Sequence, residues 1–156
     1  MKNPYTFKNL LLVFTIFLNT LIFAQTTHTI VLTCNTSNIT KENVNKVCNF
    51  GQEANVSNEE YTIDVNVGDI VVWRGIAVNS ELNSSIELKQ VNYEGGKNVF
   101  GQNTIKDRGG IITGEIVQGQ PGDEEKYNLK FKVSVDGRSV NGMFMIDPRI
   151  RVKRIQ

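Results

Sequence analysis

The chain has 156 residues, 40% of them hydrophobic and 21% charged, with a formal net charge of +1. The first 24 read as an export leader, and the other 132 are the size of one ordinary domain. In that remainder 15 cations face 16 carboxylates, a balance that argues against a nucleic-acid binder, and 16 Val and 13 Ile stand against 4 Leu and 2 Ala, the bias of an all-β chain rather than a helical one.

In chain order, Lys2 and Lys8 precede an apolar stretch from Leu10 to Phe23, and Ala24 offers a small residue for cleavage. The stretch falls short of the roughly 20 apolar residues that a comfortable membrane span needs. The expectation is an exported protein (periplasmic, cell-surface or secreted) with no membrane span once residues 1–24 are cleaved and a single domain over 25–156. Thr29–Thr33 has strand composition and runs into Cys34. Cys34 and Cys48 are the only cysteines, and an oxidising compartment favours a structural disulfide between them over two buried thiols. Their spacing, with no histidine nearby, matches no metal signature. Residues 35–60 are rich in Asn, Ser and Thr, and Ile39, Val44, Val47 and Phe50 suit one side of a short helical turn within 39–50.

Tyr61, Ile63, Val65 and Val67 alternate with polar residues, as in a strand with one buried face. Gly68-Asp69 then turns the chain into the continuous apolar run Ile70–Trp73. Trp73 is expected as a core aromatic between two sheets. Ile86–Val91 reads as the next strand, and residues 92–110 as glycine-punctuated loops around a weak strand at Asn98–Phe100. Ile111–Val117 is a further strand, followed by a turn over Gly119–Asp123. From Tyr127 to Val135 the odd positions are apolar and the even ones polar, the cleanest alternation in the chain. Asp136-Gly137 ends it, and Met143–Ile146 and Ile150–Val152 form a closing pair bent at Asp147-Pro148. Seven or eight short strands between turns predict a Greek-key β-sandwich.

Two segments resemble the cupredoxins, the small blue-copper carriers of the plastocyanin and amicyanin type. One is Val65–Trp73, similar to that family's strand, Gly-Asp turn and aromatic-ended strand. The other is Pro121-Gly122 with Tyr127–Met143 and Arg149–Lys153, similar to the last hairpin, where three of four copper ligands normally sit. The resemblance implies the cupredoxin-like fold and loops 76–85 and 136–143 gathered at one end. It also implies first and last strands that run parallel in places. A blue-copper site needs two imidazoles, a thiolate and a weak axial thioether. Laid over that pattern, Val135 stands at the thiolate position and Arg138 at a histidine position, while Met143 alone matches, at the axial position. Val78–Glu81 occupy the stretch for the other histidine. The resemblance thus implies the fold without the metal centre, and no cofactor is expected.

On the predicted strands, Lys130, Lys132, Arg149, Arg151 and Lys153 point outward. If the two strands are neighbours, these cations form one basic face suited to an acidic protein or an anionic glycan. Lysines on exposed strands also serve as a guard against aggregation. His28 is the only histidine, and no carboxylates are paired by spacing, so no catalytic residue is expected. The reading is a non-enzymatic binding or interaction module with a protein or glycan partner and contacts at Ile76–Ser85 and Asp136–Met143. The alternatives are an immunoglobulin-like surface or adhesion domain, and a copper protein using Met143, Met145 and His28.

Overall fold

The computed structural model describes residues 25–78 and 83–153. The expected leader, residues 1–24, lies outside them. The described residues form an all-β sandwich of two mixed sheets. Eleven strands are present among them: β1 (Thr27–Cys34), β2 (Cys48–Asn49), β3 (Thr62–Val65), β4 (Ile70–Ala77), β5 (Ser84–Gly96), β6 (Thr104–Lys106), β7 (Ile112–Glu115), β8 (Glu124–Val135), β9 (Arg138–Ser139), β10 (Phe144–Ile146) and β11 (Arg149–Val152). The only helix among them is one turn, α1 (Val44–Val47), inside the span expected for it.

One sheet has the order β2-β1-β4-β7 and the other β3-β11-β8-β5-β6, with β9 and β10 also paired to β8. Most ladders are antiparallel, but β1 runs parallel to β4 over eight residue pairs and β11 parallel to β3 over four. Along β8 the alternation read from sequence is the alternation of burial. Of the row expected at Tyr61, Ile63, Val65 and Val67, only Val65 is buried, whereas Tyr61 and Ile63 are half-buried and Val67 is exposed beyond the end of β3. Tyr127, Leu129, Phe131 and Val133 are buried on β8, facing Ile30 and Leu32 of β1 and Val71 and Trp73 of β4 in a single core cluster. Fully burying one such side chain stabilises by about 1.5–3 kcal/mol.

Three local differences from the expected elements have physical causes. Strand β5 continues to Gly96 instead of ending near Val91, because bulges at Leu88/Gln90 and Tyr93/Gly95 absorb its irregular sequence without breaking the pairing to β8. Val99 and Phe100 are buried, but their segment is a turn, because their N–H groups donate to the Glu125 carboxylate rather than to a strand. The other edge of β5 is paired by β6. The strand count exceeds seven or eight because short pieces either side of bends, such as β10 and β11, are separate strands although they keep one register against β8.

Cys34 and Cys48 sit opposite each other on β1 and β2 and form the expected disulfide. Closing a loop of that length stabilises by about 3 kcal/mol in the chain-entropy picture. Beside it, Asn58 is buried and its amide donates to the Cys48 carbonyl at 2.9 Å, while Gln52 donates to Asn58 Oδ1 at 2.8 Å. These bonds fasten the polar 50–60 connection to the bridge. At the other end of β1, the buried Asp69 carboxylate accepts from the N–H groups of Thr26 and Asn66 at 3.0 and 2.8 Å and lies 2.8 Å from His28 Nε2. Burial opposes this charge, but the Asn66 N–H, the His28 ring and the Thr26 N–H outweigh it and hold Asp69 below the usual aspartate value.

Candidate functional site

The end of the sandwich to which β4 and β8 run is built by two loops. Asp136 and Gly137 have φ of 50° and 72°, the left-handed pair that a two-residue hairpin turn requires between Val135 and Arg138. The Asp136 N–H donates to the Asn83 carbonyl at 2.8 Å, and the Asn83 N–H donates back to Asp136 Oδ1 at 3.3 Å. The loop after β4 is therefore tied to the hairpin 53 residues later. The Val78 N–H donates to the Cys34 carbonyl at 3.0 Å, so the disulfide-bearing strand braces the same end. Ile76 and Val78 are 49% and 55% exposed on this brace. Residues 79–82 of the expected contact loop lie outside the described residues.

Beside β10, a cleft of about 360 Å³ is lined by Lys41, Val44, Lys130, Met143, Phe144 and Met145. Val44 and Phe144 are buried, whereas Met143 and Met145 are 41% and 48% exposed. Lys41 and Val44 come from the 35–60 connection, whose place against β10 no local signal in the sequence indicates.

The five cations expected on one face lie on the outward rows of β8 and β11 or just beyond, interleaved with carboxylates. Strands β8 and β11 are neighbours, but their register sets Arg149 opposite Lys126 and Arg151 opposite Glu124. Arg151 pairs with Asp64 at 2.7 Å and Glu124 at 3.7 Å, and Arg149 lies 3.6 Å from Glu124. The Arg151 guanidinium holds the Asp64 carboxyl below its usual range. Lys130 and Lys132 lie further along β8, opposite Met145 and Glu87. Lys153 is exposed just beyond β11. This face carries mixed charge, and Lys130 alone of the five reaches the cleft.

The residues weighed for copper stay apart in the topology. His28 is on β1 of the smaller sheet, paired with Asp69, whereas Met145 is on β10 of the larger sheet and Met143 immediately precedes it. Both cysteines are in the disulfide, Arg138 is exposed, and Val135 packs against the core. Among the described residues no group of three His, Cys, Asp or Glu side chains is placed to hold a metal ion.

One buried acid was not singled out from the sequence. Glu125 is 1% exposed; its Oε2 accepts from the Val99 N–H at 2.6 Å and the Phe100 N–H at 3.5 Å, and its Oε1 is buried without a hydrogen-bond partner. Burial pushes its carboxyl up to about 7, against the two N–H donors. The signal was present, because the odd-position row from Tyr127 to Val135, extended back two residues, points Glu125 inward.

No family model matches the chain, and no curated protein matches it. Among solved structures, the chain is similar to the crystal structure of an inclusion body protein, PixA, from Burkholderia cenocepacia J2315. The match has a TM-score of 0.56 at 16% identity and covers 85% of this chain and 98% of that one. At that identity the likeness shows the fold alone.

Proposed function

We propose that the chain is an exported, non-enzymatic binding module with a cupredoxin-like sandwich and no metal centre, whose contact region is the end formed by loops 76–85 and 136–143. The observation that carries this reading is the reciprocal Asn83–Asp136 hydrogen bonding, which holds the two loops together beside exposed Ile76 and Val78. The disulfide supports export to an oxidising compartment. Parallel ladders occur at both ends of the chain, β1 beside β4 and β11 beside β3, but β1 and β11 lie in different sheets, so the parallel first and last strands that the cupredoxin resemblance implies are not paired with each other. The parallel ladders count against an immunoglobulin-like domain, whose two sheets are antiparallel. The copper alternative is weakened by the separation of His28 from Met143 and Met145.

The test compares the purified protein with an Ile76→Ser/Val78→Ser variant on panels of extracellular glycans and cell-surface proteins. Both positions are exposed, so stability is expected to stay within about 0.5 kcal/mol per site. The expected outcome is a captured ligand whose retention falls about tenfold or more in the variant. Equal retention removes the contact from this end. In a parallel titration, stoichiometric uptake of Cu(I) or Cu(II), read by elemental analysis, overturns the metal-free reading.

A further inference from the structure

We propose that the unpaired edge of β10 receives an extended acidic peptide from a partner as an added strand, seated in the cleft between Lys41 and Lys130. This proposal rests on the reading of the chain as a binding module and places a second contact beside the loop end.

The backbone supplies the first half of the argument. In an antiparallel ladder, alternate residues exchange both hydrogen bonds with the partner strand, and those between them aim N–H and C=O the other way. The Tyr127 N–H donates to the Pro148 carbonyl at 3.1 Å. The shared register of β10 and β11 then makes Leu129/Ile146 and Phe131/Phe144 the bonded pairs. Met145, between them, directs its N–H and C=O away from β8. Strand β3 covers the edge of β11, and the Arg149 N–H still reaches the Tyr61 carbonyl at 2.9 Å. Among the described residues no strand continues that cover along β10, although α1 comes close to it. An unpaired edge of this kind is a template for strand addition, in which main-chain bonds provide affinity and side-chain pockets provide specificity.

The side chains supply the second half. The cleft beside β10 has an apolar lining from Val44, Phe144, Met143 and Met145, and two cations, Lys41 and Lys130, the latter reaching in from β8. Neither lysine is in a salt bridge among the described residues, in contrast to Lys89, Lys126, Arg149 and Arg151. A peptide alternating apolar and acidic residues matches both features, with the apolar row against Val44 and Phe144 and the carboxylates toward the ammonium groups. A second copy of this chain fits less well, because residues 143–146 bring no carboxylate to Lys41 or Lys130.

The probe is an N-acetylated, C-amidated hexapeptide of alternating Glu and Val, titrated into the purified protein and followed by backbone amide NMR shifts. Saturable shifts at Met143, Met145 and Lys41 are expected. A Lys-Val hexapeptide is expected to bind at least about tenfold more weakly, as is a Glu-Val peptide N-methylated on alternate residues facing the edge. Lys41→Glu/Lys130→Glu is expected to reverse the preference between acidic and basic peptides, which a folding defect would not do. Equal binding of the N-methylated peptide overturns strand addition, and so does the lack of saturable shifts at Met143 and Met145. Peptide binding that survives in Ile76→Ser/Val78→Ser supports this site independently of the loop-end contact. Loop-end capture without peptide binding sinks this proposal and leaves the binding-module reading standing.

Discussion

Replacing Trp73 with Ala is expected to destabilise the fold by about 3–5 kcal/mol, a large part of the 5–15 kcal/mol that typically holds a domain together. The indole is fully buried at the centre of the smaller sheet, opposite Ile30 of β1 and Ile112 of β7. Its ring lies 5.4 Å from Phe100 and 5.7 Å from Tyr127, edge-on to the latter, and its Nε1–H donates to the Tyr127 hydroxyl at 3.0 Å. Truncation therefore leaves a cavity and deprives a fully buried phenol of its donor. The two effects separate in a cycle measured by urea unfolding. Trp73→Phe retains most of the apolar area but strands the Tyr127 oxygen, at a cost of about 1–3 kcal/mol. Adding Tyr127→Phe to it is expected to recover part of that loss, because the polar pair is then absent altogether. If Tyr127→Phe costs as much in the Trp73→Phe background as in the native chain, the hydrogen bond is not the coupling.

Stability is expected to fall as pH rises between about 4.5 and 7, with Glu125 as the cause. Its carboxyl is raised from 4.5 to about 7 by burial in the folded chain. In that window the folded protein holds a proton that the unfolded chain has released, so raising the pH favours unfolding. The contribution is fully present below 4.5 and gone above about 7. With one proton involved, the slope approaches about 1.4 kcal/mol per pH unit, for a total of at most about 3.5 kcal/mol. Glu125→Gln retains an oxygen for the Val99 N–H without a charge. The variant is expected to be more stable than the native protein at pH 8 by about 2–3 kcal/mol, with the advantage shrinking toward pH 4.5. Denaturant titrations at several pH values decide this, and an unchanged difference across the range would sink the assignment. Asp69 acts in the opposite sense. Its lowered carboxyl contributes stability above the ordinary aspartate value near 3.9 that is lost as pH falls through its folded value.

The glycine at position 114 illustrates how much a sequence pattern conveys. It interrupts an otherwise strand-like segment, and nothing local explains it. In the sandwich, a Cβ there would lie 2.8 Å from Ile105 Cδ1 and 2.9 Å from the Phe100 ring, so a side chain is excluded by core atoms of neighbouring segments. Gly95-Gly96 misled in the opposite direction. Such a pair normally signals a turn, whereas here Gly96, at φ 82°, lets β5 pass close to β8 and remain paired. In both cases the residue type was legible and its reason lay on another strand.

Which residues face inward and which outward was already determined by sequence, because side-chain direction alternates along a strand whatever it pairs with. The row at Tyr127–Val135, the all-β class and the Asp136-Gly137 turn all follow from such local rules, whereas the continuous apolar run Ile70–Trp73 gives no sign that only Val71 and Trp73 face the core. The pairing of two lone cysteines also follows once export is assumed. The meeting of Asn83 with Asp136 does not, nor do Lys41 and Val44 beside Met143 and Met145, Arg151 held by Asp64 from 87 residues away, or the N–H groups of Val99 and Phe100 at Glu125. Each depends on strand order and register, which are settled when two amphipathic sheets bury their apolar faces against each other. A one-residue change in register would reverse which side chains meet while leaving every local pattern as it is. The inward rows of this protein are thus a property of its sequence, whereas its candidate binding end, its cleft and the setting of its buried acid are properties of the assembled sandwich.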